Sequence, residues 1–130
     1  MTIAEYIQYL KGNRAFMRNV TNWQVLPARE ARYGTFPNSL DARVIEALKR
    51  KGIDRPYIHQ SRAIQAALER RDFVVVTPTA SGKTLCYNIP VLDAILKDES
   101  ARALYLFPTK ALSSDQVAEL YGMIQDMGAS

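Results

Sequence analysis

The residues best suited to chemistry lie in one run, Thr77-Pro78-Thr79-Ala80-Ser81-Gly82-Lys83-Thr84. A glycine, a lysine and a hydroxyl in succession suit a phosphorylated ligand. Backbone N–H groups and a helix N-terminus point at phosphate oxygens, an ammonium neutralises them, and a hydroxyl ligates Mg²⁺. Gly82 lets the main chain come close, Lys83 is the candidate catalytic cation, and Thr84 is the candidate metal ligand, while Thr77, Thr79, Ala80 and Ser81 complete the loop. The strict G-x-x-x-x-G-K-[ST] pattern is not met, since Thr77 stands where the first glycine would be. A Gly-Lys-Thr tripeptide alone is a weak signal, and the bland alternative is an ordinary capped helix. The context, an apolar run before and an amphipathic segment after, is what favours a phosphate loop.

Two further segments carry candidate groups. Tyr57-Ile58-His59-Gln60 places a glutamine 17 residues ahead of Thr77. A glutamine amide can bond the N6 and N7 edge of adenine, and a ring such as Tyr57 can stack on the base or pack in a core. His59, the sole histidine, reads as a cap or packing residue. Downstream, Pro108-Thr109-Lys110 follows a second apolar run, and a hydroxyl, an ammonium and free helix N–H groups there would suit a nucleic-acid backbone. The alternative is a turn with an exposed lysine.

The elements that must position these groups follow from the pattern. Residues 1–38 are irregular, with Gly12, Pro27, Gly34 and Pro37 and one short helix expected around 3–10. From residue 39 the signals sharpen. Ser39 is a candidate cap for a helix over 40–51, whose apolar positions Leu40, Val44, Ala47 and Leu48 share one face and whose last turn is basic before Gly52. A second helix is expected over 58–70. Residues 73–76, Phe-Val-Val-Val, and residues 103–107 read as buried strands covered on both faces. Between them a helix over 83–97 should bend at Pro90, and Ser113 with Gln116 offers a capping box for a last helix. The order β, α, β, α predicts an α/β fold: a partial parallel sheet with flanking helices, an irregular lead-in, and ligands at the carboxyl ends of the strands.

Composition narrows the field. The chain has 130 residues, 48% of them hydrophobic and 23% charged, which excludes global disorder. The longest apolar runs are far short of the roughly 18 residues a membrane span needs. The N-terminus lacks the basic start of a secretory signal, and one cysteine, Cys86, fits a reducing, cytoplasmic setting. The net charge of +4 is unevenly spread: residues 1–71 carry 13 Lys/Arg against 6 Asp/Glu, and the remainder 4 against 7. An arginine-rich half suits either phosphate contact or simple solvation.

Taken in order, the three segments resemble the first motor domain of superfamily 2 DEAD/DEAH-type helicases. Tyr57 to Gln60 looks like their adenine-reading Q motif, Thr77 to Thr84 like motif I, and Leu106-Phe107-Pro108-Thr109-Lys110-Ala111-Leu112 like motif Ia. Within that superfamily the wording is similar to the MrfA (YprA) and RecQ-like Hrq group, and Trp23 with residues 27–33 resembles that group's lead-in. The resemblance implies a RecA-like fold, ATP and Mg²⁺ as cofactors, single-stranded or forked DNA as partner, 3′ to 5′ polarity and a link to DNA repair. It also implies what is missing. The family's Asp-Glu-x-His strand and second motor domain are not here, and Asp98-Glu99 follows a helix rather than an apolar strand. Residues 39–130 are therefore expected to be an incomplete motor domain at the N-terminal end of a longer enzyme, inactive alone. A truncated module that binds nucleotide or nucleic acid without hydrolysis is the alternative. A small phosphate-loop kinase or GTPase would leave Gln60 and the Pro-Thr-Lys segment unexplained.

Overall fold

Local capping explains where the helices begin. The computed structural model describes residues 1–78 and 81–127, so Thr79 and Ala80 of the expected loop lie outside the described residues. Two compact units are present, Met1–Glu30 and Ala31–Ser130. In the first, Thr2 and Glu5 form a reciprocal capping box that starts α1 (Ile3–Gly12), and Asn13 caps the single turn α2 (Arg14–Met17). The Lys11 ammonium lies over the Trp23 ring, 5.1 Å from its centre.

The second unit holds α3 (Ala42–Arg50), α4 (Ile58–Leu68), α5 (Lys83–Lys97) and α6 (Lys110–Asp126). The cap of α3 is Asp41 and not Ser39: its Oδ1 accepts from the Arg43 backbone N–H at 2.9 Å, and the Arg43 guanidinium closes on the same carboxylate. Those bonds, the guanidinium first, hold the Asp41 carboxyl down to about 2. Ser39 serves otherwise, its carbonyl accepting from Lys97 Nζ at 2.6 Å. Thr109 caps α6, with Oγ1 accepting from Leu112 N at 3.2 Å, so Ser113 lies within the helix and not at its start. Pro90 sits inside α5 without ending it.

The core joins all four of these helices. Val44 and Leu48 of α3, Ile64 of α4, Ile89 and Leu92 of α5 and Met123 of α6 pack with Leu40 in one buried cluster. Each of the larger side chains contributes about 1.5–3 kcal/mol by leaving water. Asp93, buried on α5, accepts from Asp41 N at 2.7 Å and from Lys97 Nζ at 2.8 Å, which pins the start of α3 to α5. Residues 31–38, expected to belong with the lead-in, pack within this second unit. Gly34 N donates to Pro56 O, Ile58 N donates to Arg32 O, and Tyr33 pairs with Tyr57 in an isolated antiparallel bridge. Gly34 passes so close that an added Cβ would stand 2.7 Å from Ser61 Cβ.

The expected parallel sheet is not formed among the described residues. Residues 73–76 and 103–107 run without ladder hydrogen bonds, and Val74, Val76 and Leu104 are 88%, 88% and 86% exposed. Val75, Tyr105 and Phe107 alternate with them and are half-buried, so each run turns one face to protein and leaves the other open. The expectation of strands covered on both faces is corrected accordingly. A β-branched run reports a residue's fitness for a sheet, but a strand needs a neighbour to take its N–H and C=O groups. Two side-chain bonds still tether this region: Tyr105 Oη donates to Asn88 Oδ1 at 3.0 Å, and Tyr87 Oη donates to Gln116 Oε1 at 2.9 Å.

Candidate nucleotide-binding site

Gly82 is the pivot between the phosphate loop and α5. It adopts φ +71, a left-handed conformation that glycine takes at little cost, and no side chain among the described residues caps the helix it opens. Leu85 N donates to the Gly82 carbonyl at 3.3 Å, and a helix start of this kind is a place where backbone N–H groups can meet an anion. Space around Gly82 is tight as well, because an added Cβ would stand 2.5 Å from Gln60 Nε2.

Gln60 is buried and spans two elements. Its Oε1 accepts from Tyr57 N at 2.8 Å, closing the first turn of α4, and its Nε2 donates to the Gly82 carbonyl at 2.8 Å. An amide has two N–H donors and two lone pairs, so these two bonds use one donor and one acceptor. The Lys83 ammonium donates to the Thr77 and Pro78 carbonyls, both at 2.9 Å, and lies 3.5 Å from Ser81 Oγ. These are oxygen acceptors of the kind a phosphate would replace. The Thr77 and Ser81 hydroxyls meet at 2.5 Å, and Thr84 is half-buried in the first turn of α5.

A cleft of about 300 Å³ opens beside this loop, lined by Tyr33, Gly52, Ile53, Asp54, Arg55, Tyr57, Gln60, Gly82 and Leu85. Glutamine, tyrosine and the loop glycine therefore share one cavity. The Arg55 guanidinium lies 4.6 Å from the centre of the Tyr33 ring, and Tyr33 stacks on Tyr57 at 5.3 Å. Tyr33 and Arg55 were not legible as site residues, because what places them is the bridge between residues 33 and 57, distant in sequence. His59, expected only to cap or pack, bonds the loop: its Nε2 lies 2.8 Å from the Ser81 carbonyl.

Pro108, Thr109 and Lys110 stand apart from this cluster, exposed at the start of α6, and no hydrogen bond among the described residues links them to the loop. Asp98 forms a turn, with Oδ1 accepting from Ser100 N and Oγ, and those bonds hold its carboxyl below the usual range. Cys86 is buried on α5, and burial pushes its thiol up, away from reactivity.

Comparison with known proteins shows the family. Residues 57–130 match the DEAD/DEAH box helicase family. The chain is 51% identical over 127 residues to the ATP-dependent helicase YprA of Bacillus subtilis (strain 168), covering 98% of this chain and 16% of that protein. It is 38% identical over 102 residues to the ATP-dependent helicase hrq1 of Schizosaccharomyces pombe, covering 78% and 10%. Among solved structures, the DUF1998 helicase MrfA bound to DNA and AMPPNP superposes with a TM-score of 0.84 at 51% identity, over 98% of this chain and 17% of that one. The chain spans about a sixth of the length of YprA and MrfA. With a family match over more than half its residues, the chain belongs to the DEAD/DEAH box helicases.

Proposed function

We propose that this chain is the ATP-binding N-terminal part of the first motor domain of an ATP-dependent DNA helicase, with residues 1–38 as a lead-in whose residues 31–38 pack onto residues 39–130, an incomplete RecA-like domain. The observation that carries the reading is the bond from Gln60 to Gly82, which sets a nucleobase reader and a phosphate-binding helix start on one cleft. In this reading the α5 N-terminus and Lys83 bind the phosphates, Thr77, Thr79, Ala80 and Ser81 shape the loop, and Gln60 with Tyr57 holds adenine. Thr84 would hold Mg²⁺, which supplies charge neutralisation between the phosphates. The helix start and the Lys83 ammonium, held only by neutral acceptors, fit the phosphates, and toward Mg²⁺ bound to those phosphates the residues offer the Thr84 hydroxyl.

Lys110, with Pro108 and Thr109, would meet the backbone of single-stranded or forked DNA. Support comes from the basic front half and from MrfA, whose structure is described as bound to DNA. The runs at 73–76 and 103–107 are then strands of a parallel sheet whose unpaired edges need further strands. No helix among the described residues is long and apolar enough to cross a membrane, and a cytoplasmic setting is proposed from the single cysteine, Cys86. Motion in the 3′ to 5′ direction and a role in repair follow from the likeness to the MrfA and Hrq group. Because Asp98 is engaged in a turn, the acid that completes hydrolysis has to come from elsewhere, and binding without hydrolysis is the second reading. Unwinding assays on the full-length protein with 3′-tailed and 5′-tailed duplexes test the proposal. ATP-dependent unwinding of the 3′-tailed duplex is expected, and ATP binding without unwinding of any tailed duplex would favour the second reading.

A further inference from the structure

Four planar groups stand in series between the cleft and the phosphate loop. Arg55 lies 4.6 Å from the Tyr33 ring centre, Tyr33 is 5.3 Å from Tyr57, and Tyr57 is 5.8 Å from His59, the last two rings inclined by only 11°. At the end of the series His59 Nε2 lies 2.8 Å from the Ser81 carbonyl oxygen. A carbonyl only accepts, so Nε2 carries the hydrogen and donates it. The helix itself does not need this bond, since Gln60 already closes the first turn of α4. The imidazole is therefore oriented by Tyr57 and spends its donor on the loop.

We propose that His59 is a positioning residue of the phosphate loop, acting through the Ser81 carbonyl, and that the Tyr33–Tyr57 stack holds its ring so that the nucleobase end and the phosphate end of the site move together. The proposal rests on the nucleotide-binding reading above. It assigns the stack a role distinct from contact with the base: support for the loop that a ligand without any base would also register.

Inorganic triphosphate, which carries no base, is the probe, titrated into the full-length protein and its folded variants. His59→Ala should weaken its binding about fivefold, the loss of one hydrogen bond, and should raise KM for ATP more than it lowers kcat. His59→Gln keeps an N–H donor and should recover most of that loss. Tyr33→Ala should weaken triphosphate binding about twofold, and should add nothing in the His59→Ala background, as expected of two groups acting in one chain. Unchanged triphosphate affinity in His59→Ala would overturn the proposal, as would a His59→Gln variant no better than alanine, or fully additive effects of Tyr33→Ala and His59→Ala. Lys83→Ala separates the two levels. If it too leaves triphosphate binding unchanged, the nucleotide-binding reading fails; if it abolishes binding while His59→Ala does nothing, only the positioning role fails.

Discussion

Gln60 Nε2 donates to the Gly82 carbonyl oxygen across 2.8 Å, and this bond joins the first turn of α4 to the left-handed residue that opens α5. The same amide accepts from Tyr57 N, so in the proposed reading the parts that meet base and phosphate share one side chain. Removing it should be felt at both. Gln60→Ala in the full-length protein is expected to weaken ATP binding by about 1–3 kcal/mol, by analogy with bidentate base readout, and to narrow the preference for ATP over GTP. Competitive titration of the two nucleotides checks this, and an unchanged ratio would return Gln60 to a purely structural role.

Gly82→Ala faces two obstacles. A Cβ at φ +71 costs about 1–2 kcal/mol in the left-handed region, and it would stand 2.5 Å from Gln60 Nε2. Gln60 can move aside only by giving up its bond to the loop. The variant should melt lower and bind ATP more weakly, and combining it with Gln60→Ala should relieve the clash without restoring affinity. Thermal melts with parallel nucleotide titrations would show both effects.

The cap of α3 predicts a pH dependence. The Asp41 carboxyl is ordinarily near 3.8 and is held at about 2 in the fold, Arg43 being the main cause. A carboxyl depressed by folding adds stability above its unfolded pKa and loses it as pH falls through the folded one. Stability should therefore decline between about pH 4 and pH 2 in part through this group, and Asp41→Ala should be less sensitive over that interval. At neutral pH the same variant should lose about 1 kcal/mol, the usual worth of an N-cap. Denaturant midpoints measured at several pH values decide it.

Lys110 is exposed at the start of α6, away from the loop cluster. If DNA crosses that helix start, Lys110→Ala should weaken single-stranded DNA binding with little regard to base sequence and lower the log–log salt slope by about 0.7. ATP binding without DNA should be intact. A salt series with a mixed-sequence oligonucleotide gives the answer, and an unaltered slope with unaltered affinity would leave Lys110 a solvated turn residue.

Helices were legible where local rules decide them. The span of α5 was read to the residue, because a glycine start, a sustained apolar stripe and a basic last turn all act within the segment. Caps were harder: Ser39 and Asp41 are equally good by type, and Asp41 caps because Arg43 lies two residues on while the Ser39 carbonyl is held by Lys97 from α5. The sheet was legible only as a preference, for a related reason. Val74 and Val76 state a preference that only a neighbouring strand can satisfy, and among the described residues none does. Spacing put Gln60 and Lys83 forward as candidates, and in the structure both hydrogen-bond residues of the loop. Tyr33 and Arg55 were not put forward, because a bridge between residues 33 and 57 is a tertiary fact with no local signature.

The central claim is that Lys83 and the helix start behind it bind the phosphates of ATP, and the most direct measurement is the unwinding rate of the full-length protein carrying Lys83→Ala. The ammonium is held by the Thr77 and Pro78 carbonyls, and no other lysine or arginine hydrogen-bonds the loop among the described residues. Charge that builds on the transferring phosphoryl group would then have no substitute cation. ATP-dependent unwinding is predicted to be abolished while DNA binding without ATP persists. An unwinding rate within about a factor of two of wild type, less than 0.5 kcal/mol in barrier height, would contradict the account.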